Sequence, residues 1–216
     1  MKSKIVAAVV AALAVAGLVA FGASGPSGSA AEAKGLLRQP DGSMVLAVPG
    51  GGAPVLDLYE DFDCPVCKDL HSRVNATVLK LAKEGRVTVV FHPVTIFRDE
   101  PMHSNSVRAA AAARCIPEAN WLAFRDELYG MQPAPHGVAS GFALPDLVQA
   151  AHRVGVTQAD SCITDQSYAK DHLEQTAKTP LEGTPTVLLD GQQLGDAAFD
   201  PAALENAITG GSGTTV

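Results

Sequence analysis

A chain of 216 residues, 47% of them hydrophobic and 18% charged, has the composition of a globular protein and lies far from that of a disordered one. Its net charge of −7 argues against a nucleic-acid binder that works by charge. Four cysteines are too few for a disulfide-framework miniprotein but enough for one redox or metal site, so their positions matter more than their number.

Lys2 and Lys4 precede a charge-free apolar run from Ile5 to Ala23. A positive flank, an apolar stretch and then small residues form a secretory signature, and at about 1.5 Å per residue the run nearly covers a ~30 Å bilayer core. Residues 1–24 are expected to be a cleaved signal peptide or an uncleaved membrane anchor. Residues 25–38, rich in Gly, Ser and Ala, then read as a flexible linker. The lysines stay on the cytoplasmic side, which places the rest outside the membrane, where disulfides persist. They are also the only basic residues before Glu32, so the exported part carries 14 basic against 23 acidic side chains.

Residues 39–212 read as one domain. Met44 to Val48 is a short apolar run, and Val55 to Phe62 is a strand apolar enough to be buried on both faces. Cys64-Pro65 opens a helix whose stripe is Cys67, Leu70, Val74, Val78 and Leu81, closed by Gly85. Arg86 to Phe91 is the next strand, parallel to the one before, which completes a βαβ unit.

A helical stretch follows, spanning about 101–178. Its helices are expected from Ser104 to Cys115, with five alanines in a row, around Trp121, Phe124 and Leu128, from Leu144 through Val154, and from Tyr168 to Lys178. Thr186–Leu189 and Gln192–Leu194 then make a hairpin across Asp190-Gly191, and Asp200-Pro201 starts a last helix. The fold class is α/β, with a helical insertion between a βαβ half and a ββα half.

Chemistry concentrates at Cys64-Pro65-Val66-Cys67. At a helix N-terminus, free N–H groups and the helix dipole favour a thiolate at Cys64. Cys67, one turn later, faces the sheet. The expected chemistry is an exposed Cys64 that forms a mixed disulfide and a Cys67 that resolves it. A static disulfide or half of a zinc site are the alternatives. Zinc would need a second such pair or suitably spaced histidines, and the other cysteines, Cys115 and Cys162, are far apart in the chain. Trp121 and Phe124 read as core, His71 as a helix-flank residue, and Glu60, Asp61 and Asp63 as a solvated acidic loop. Gly183-Thr184-Pro185-Thr186 leads into a strand, where a proline is ordinarily explained by an edge or a turn.

Taken together, Tyr59-Glu60-Asp61-Phe62 before Cys64-Pro65-Val66-Cys67, the Phe91-His92-Pro93 strand end and Gly183-Thr184-Pro185-Thr186 resemble the DsbA-like thiol–disulfide oxidoreductases of the thioredoxin superfamily, in their actinobacterial secreted or membrane-anchored form. The resemblance spans about residues 39–210. It implies a thioredoxin-like fold, a catalytic pair Cys64 and Cys67, and a cis Pro185 packed beside them. It also implies that the backbone of Thr184 pairs with a substrate peptide, that Pro65 and Val66 contribute to substrate binding, and that Cys115 and Cys162 form a structural disulfide. No cofactor or metal is implied. The implied activity is oxidation of unfolded secreted proteins by a monomer that binds no nucleic acid. A membrane reoxidase of the vitamin K epoxide reductase-like or DsbB-like kind would restore the disulfide. A reductase or isomerase, or a noncatalytic exported binding or chaperone module, are the competing readings.

Two positions depart from the family pattern. The buried acid often found six residues before the first cysteine is Leu58 here, with Asp57 on the opposite face, which leaves Glu60 as a candidate proton acceptor for Cys67. The histidine of the strongly oxidising type is replaced by Val66, and Asp61 and Asp63 oppose a negative sulfur. The pKa of Cys64 is therefore expected below the free value of about 8.5 but above the ~3.5 of the extreme oxidant.

Overall fold

The computed structural model describes residues 35–48 and 52–210; the expected signal or anchor segment and residues 25–34 of the expected linker lie outside the described residues. Apolar residues at every second position build the sheet. In β3 (Val55–Glu60), Leu56, Leu58 and Glu60 are buried while Asp57 and Tyr59 are half-buried. In β4 (Thr88–Pro93), Val89 and Phe91 are buried. The two strands run parallel with Leu56 opposite Val89 and Leu58 opposite Phe91, so these four side chains share one face.

The same face continues through β2 (Met44–Leu46), where Met44 pairs with Phe91 and Leu46 with Val89. On the other side it continues through β5 (Thr186–Leu189), where Val187 pairs with Leu58. Edge strands β1 (Leu36–Arg38) and β6 (Gln192–Gln193) complete the order β1-β2-β4-β3-β5-β6. The opposite face is half-buried, with His92 bonded to Asp57 at 2.8 Å and stacked on Tyr59. The β3 strand is thus buried on one face, not on both as its composition suggested. Asp57 and Tyr59 supply the polar second face.

The βαβ crossover is α1 (Pro65–Lys83), whose buried residues are Cys67, Leu70, Val74, Val78, Leu81 and Ala82. Its C-terminus is closed by Gly85 at φ +70, a left-handed position that glycine takes without strain. The helical insertion runs through α2 (Met102–Cys115), α3 (Glu118–Gly130), α4 (Leu144–Arg153), α5 (Asp160–Thr164) and α6 (Ala169–Ala177). After the β5–β6 hairpin a 3-10 turn at Gly195–Phe199 leads to α7 (Pro201–Thr209), capped by Asp200 accepting from the Ala203 N–H.

Two details correct the sequence reading. Leu36–Arg38 is strand β1 and not linker: it pairs with Met44–Leu46, and Arg38 donates to the carbonyls of Ala113 and Ile116 at the end of α2. The insertion also holds a fifth helix, α5, whose five residues are too few to show a helical period. Trp121 packs on Phe91 with ring centroids 5.4 Å apart, which seats α3 on the buried face of the sheet. Among the described residues no helix is long and apolar enough to cross a membrane.

Candidate active site

Strand β3 delivers the chain into a short turn, and Pro65 at the first helical position starts α1 with no N–H to satisfy. Cys64 is the N-cap, so its sulfur lies beside the free amides of the first turn. The Cys64 N–H donates to the Asp61 carbonyl at 3.0 Å, fixing the turn. From the far side of the chain, the cis Thr184–Pro185 peptide brings the Thr184 carbonyl to 3.4 Å from the Cys64 sulfur, with the thiol donating. Gln132 of the insertion donates to the carbonyls of Phe62 and Cys64. These contacts bury Cys64 to 4% exposure, where the sequence reading had it exposed. The helix N-terminus alone would leave the sulfur open; the Thr184 turn and the insertion pack around it. Pro65 and Val66 are the exposed residues of the motif.

Both Cys64 and Cys67 are free thiols, and their environments push them apart. Cys64 is lowered to about 6, first by the hydrogen bond from the Cys67 thiol and further by the Cys67 N–H, against the opposing effect of burial. Cys67 is pushed far up by burial and by the Cys64 sulfur beside it. One sulfur is therefore a ready thiolate and the other its proton donor.

The acids around the pair are buried, contrary to the solvated loop expected from Glu60, Asp61 and Asp63. Each finds its partners on distant elements, which is why composition alone misplaces them. Glu60 binds Arg125 of α3 through both oxygens, at 2.7 and 2.6 Å, and accepts from the Tyr129 hydroxyl at 2.9 Å. Arg125 also reaches His71 and Asn75 of α1, so His71 belongs to this buried network rather than to an open helix flank. With both oxygens engaged by a buried guanidinium, Glu60 is unsuited to taking the Cys67 proton.

Asp61 has no exposure and accepts from the Asp63 and Ile96 amides and the Ser106 hydroxyl. Burial still raises it to about 7. Its own N–H donates to the Cys67 sulfur at 3.5 Å, so it touches the turn at both cysteines. Asp63, immediately before Cys64, is also raised by burial. The sequence carried no signal for these partners, since Ser106, Arg125, Tyr129 and Gln132 all come from the insertion.

Cys115 and Cys162 form a disulfide that joins α2 to α5, with Cα atoms 5.9 Å apart, within the insertion and separate from the cysteine turn. Among the described residues no group of three or more His, Cys, Asp or Glu side chains could hold a metal ion. Cys64, Cys67, Thr184 and Pro185 thus lie together: a thiol that favours ionisation, a deeper thiol that resists it, and the Thr184 carbonyl against the first sulfur.

Comparison with known proteins agrees with this arrangement. The thioredoxin family matches residues 51–209, while no curated protein matches the chain. Reduced DsbA from Mycobacterium tuberculosis is 27% identical with a TM-score of 0.67, covering 83% of this chain and 89% of that one. Reduced DsbG from the same organism is also 27% identical at 0.67, covering 89% and 91%. MdbA, a thiol–disulfide oxidoreductase from Actinomyces oris, shares the fold at 22% identity and a TM-score of 0.63, covering 79% and 88%. The chain therefore belongs to the thioredoxin family, as a DsbA-like thiol–disulfide oxidoreductase.

Proposed function

We propose that this protein is an exported oxidase that donates a Cys64–Cys67 disulfide to newly secreted, unfolded proteins. The observation that carries this reading is the thiolate preference of Cys64, lowered to about 6 beside a Cys67 pushed far up. A stabilised thiolate is a good leaving group and favours the reduced enzyme, which is the condition for an oxidant.

In the first step a substrate thiolate attacks the Cys64 sulfur of the disulfide. Cys67 leaves with the bonding pair and takes up a proton. A second substrate thiolate then attacks the substrate sulfur of the mixed disulfide and expels Cys64 as a thiolate. The substrate loses two electrons and gains a disulfide; the enzyme ends as the dithiol. Thr184 offers its backbone to the extended substrate segment beside Pro185, and the exposed Pro65 and Val66 meet the same segment. Cys115–Cys162 is a structural staple. Reoxidation falls to a membrane partner of the vitamin K epoxide reductase-like or DsbB-like kind, and residues 1–24 export the enzyme or anchor it near that partner. It works as a monomer, without nucleic acid, metal or cofactor.

One observation favours the reverse direction: the buried carboxylates of Asp61 and Asp63 oppose a thiolate next to them. A reductase or isomerase reading therefore stands as the second choice. A reduction potential toward about −120 mV supports the oxidase, and one near thioredoxin's about −270 mV the reductase.

The direct test replaces Cys67 with Ala in the native host. The expected result is accumulation of mixed disulfides at Cys64 with secreted proteins and with one membrane protein. Absence of adducts would overturn the reading, and a Cys64→Ser variant that keeps full cellular function would point to a binding module.

A further inference from the structure

Asp63, the residue before Cys64, carries a fully buried carboxylate, and each of the two groups disfavours a negative charge on the other. Two side chains of the insertion face that carboxylate. Asn105 Nδ2 lies 3.4 Å from each oxygen, and His136 Nε2 lies 3.6 Å from Oδ2. That Nε2 is itself buried and has no hydrogen-bond partner, an arrangement that costs free energy unless the atom serves the carboxylate it faces.

The loop that carries His136 is fixed to the site. Gln132 bonds to the Phe62 and Cys64 carbonyls, Ala139 and Gly141 both bond to Asn105, and the His136 ring packs on Phe97 at 5.4 Å. The other charged groups nearby are already committed. Arg108 of α2 donates to Phe142, Gly141 and Asn105. Asp61 is filled by Ser106, Ile96 and Asp63. His103 bonds the Phe97 carbonyl. The side chain of Val66, exposed beside Cys64, has no donor to offer.

We propose that His136 is a positioning residue for Cys64: as the cationic partner of the Asp63 carboxylate, it cancels the charge beside the sulfur and favours the thiolate. The insertion thereby supplies the histidine that the cysteine motif lacks, acting from behind the N-cap rather than from within the motif. This rests on Cys64 being the reacting thiol, but not on the direction in which the enzyme runs.

The test follows ionisation of Cys64 in the reduced protein by thiolate absorbance and by alkylation rate across pH. His136→Phe is expected to raise the midpoint by about one pH unit, and His136→Lys to restore it. Asp63→Asn is expected to leave the midpoint no higher than in the wild type and to erase the effect of a further His136→Phe change. With the wild-type midpoint at about 6, the thiol–disulfide equilibrium against glutathione at pH 7 shifts about fivefold toward the disulfide in His136→Phe. An unmoved midpoint in His136→Phe, or the same shift on the Asp63→Asn background, would overturn the proposal. Should His136→Phe fail to fold, His136→Gln decides, because a midpoint that does not rise when the ring is replaced by an uncharged side chain removes the charge that His136 supplies. A wild-type midpoint near the free value of about 8.5 would instead overturn the thiolate on which the oxidase reading rests.

Discussion

Cys64 and Cys67 are three residues apart and chemically alike as free amino acids, so everything that separates them comes from position. Cys64 caps α1 and receives hydrogen bonds from the Cys67 thiol and amide; Cys67 is 1% exposed on the inner stripe of the same helix. Alkylation by iodoacetamide should therefore follow a single ionisation at about 6 and label Cys64 alone. Because the largest contribution to that low value is the hydrogen bond from Cys67, Cys67→Ala should move the midpoint upward. Peptide mapping of the labelled protein, and the pH profile of the variant, check both expectations. An unchanged profile in Cys67→Ala would mean that the helix N-terminus alone holds the thiolate.

At the level of elements, the insertion carries more of the site than its distance in sequence suggests. It closes over the cysteine turn through Gln132 and anchors β3 through Arg125 and Glu60. Its own coherence depends in part on Cys115–Cys162, which encloses a sequence separation of 47. A loop of that length confers roughly 4 kcal/mol in the chain-entropy account. The double change Cys115→Ala, Cys162→Ala should lower the urea-unfolding free energy by about that amount, while Cys64 keeps its alkylation profile under native conditions.

The elements that were legible are those with strong local periodicity. The α1 stripe from Cys67 to Leu81 is buried as read, and Asp200-Pro201 starts α7. What was not legible depends on partners far along the chain. Leu36–Arg38 is a strand only because β2 pairs with it. Glu60, Asp61 and Asp63 look like a solvent-facing run until Arg125, Ser106 and Asn105 are brought to them. The cysteine motif and Pro185 could be found by spacing and resemblance; the polar shell around them could not, since buried hydrogen bonds leave no period in a sequence.

For the whole molecule, the ionisation of Cys64 links redox state to stability. The folded reduced protein holds Cys64 lowered to about 6, against about 8.5 in an unfolded chain. Between these values the unfolded state binds more protons, so the stability of the reduced form rises with pH. The contribution is fully present above about 8.5 and is lost as pH falls through about 6, and it amounts to at most about 3 kcal/mol. The oxidised protein has no such titration. Two other buried groups act on both redox forms. Asp61, raised to about 7, stabilises at low pH and loses that contribution as pH rises through about 7. His172, lowered to about 4 by burial, costs stability as pH falls from about 6.5 through that value. Subtracting the melting temperature of the oxidised form from that of the reduced form removes most of both effects. The difference should therefore climb by several degrees between pH 6 and 8.5. Paired thermal melts of the two forms across that window measure it. A flat difference would mean that folding does not favour the Cys64 thiolate. The enzyme would then lack the stabilised reduced form that drives disulfide donation, and the balance would pass to the reductase.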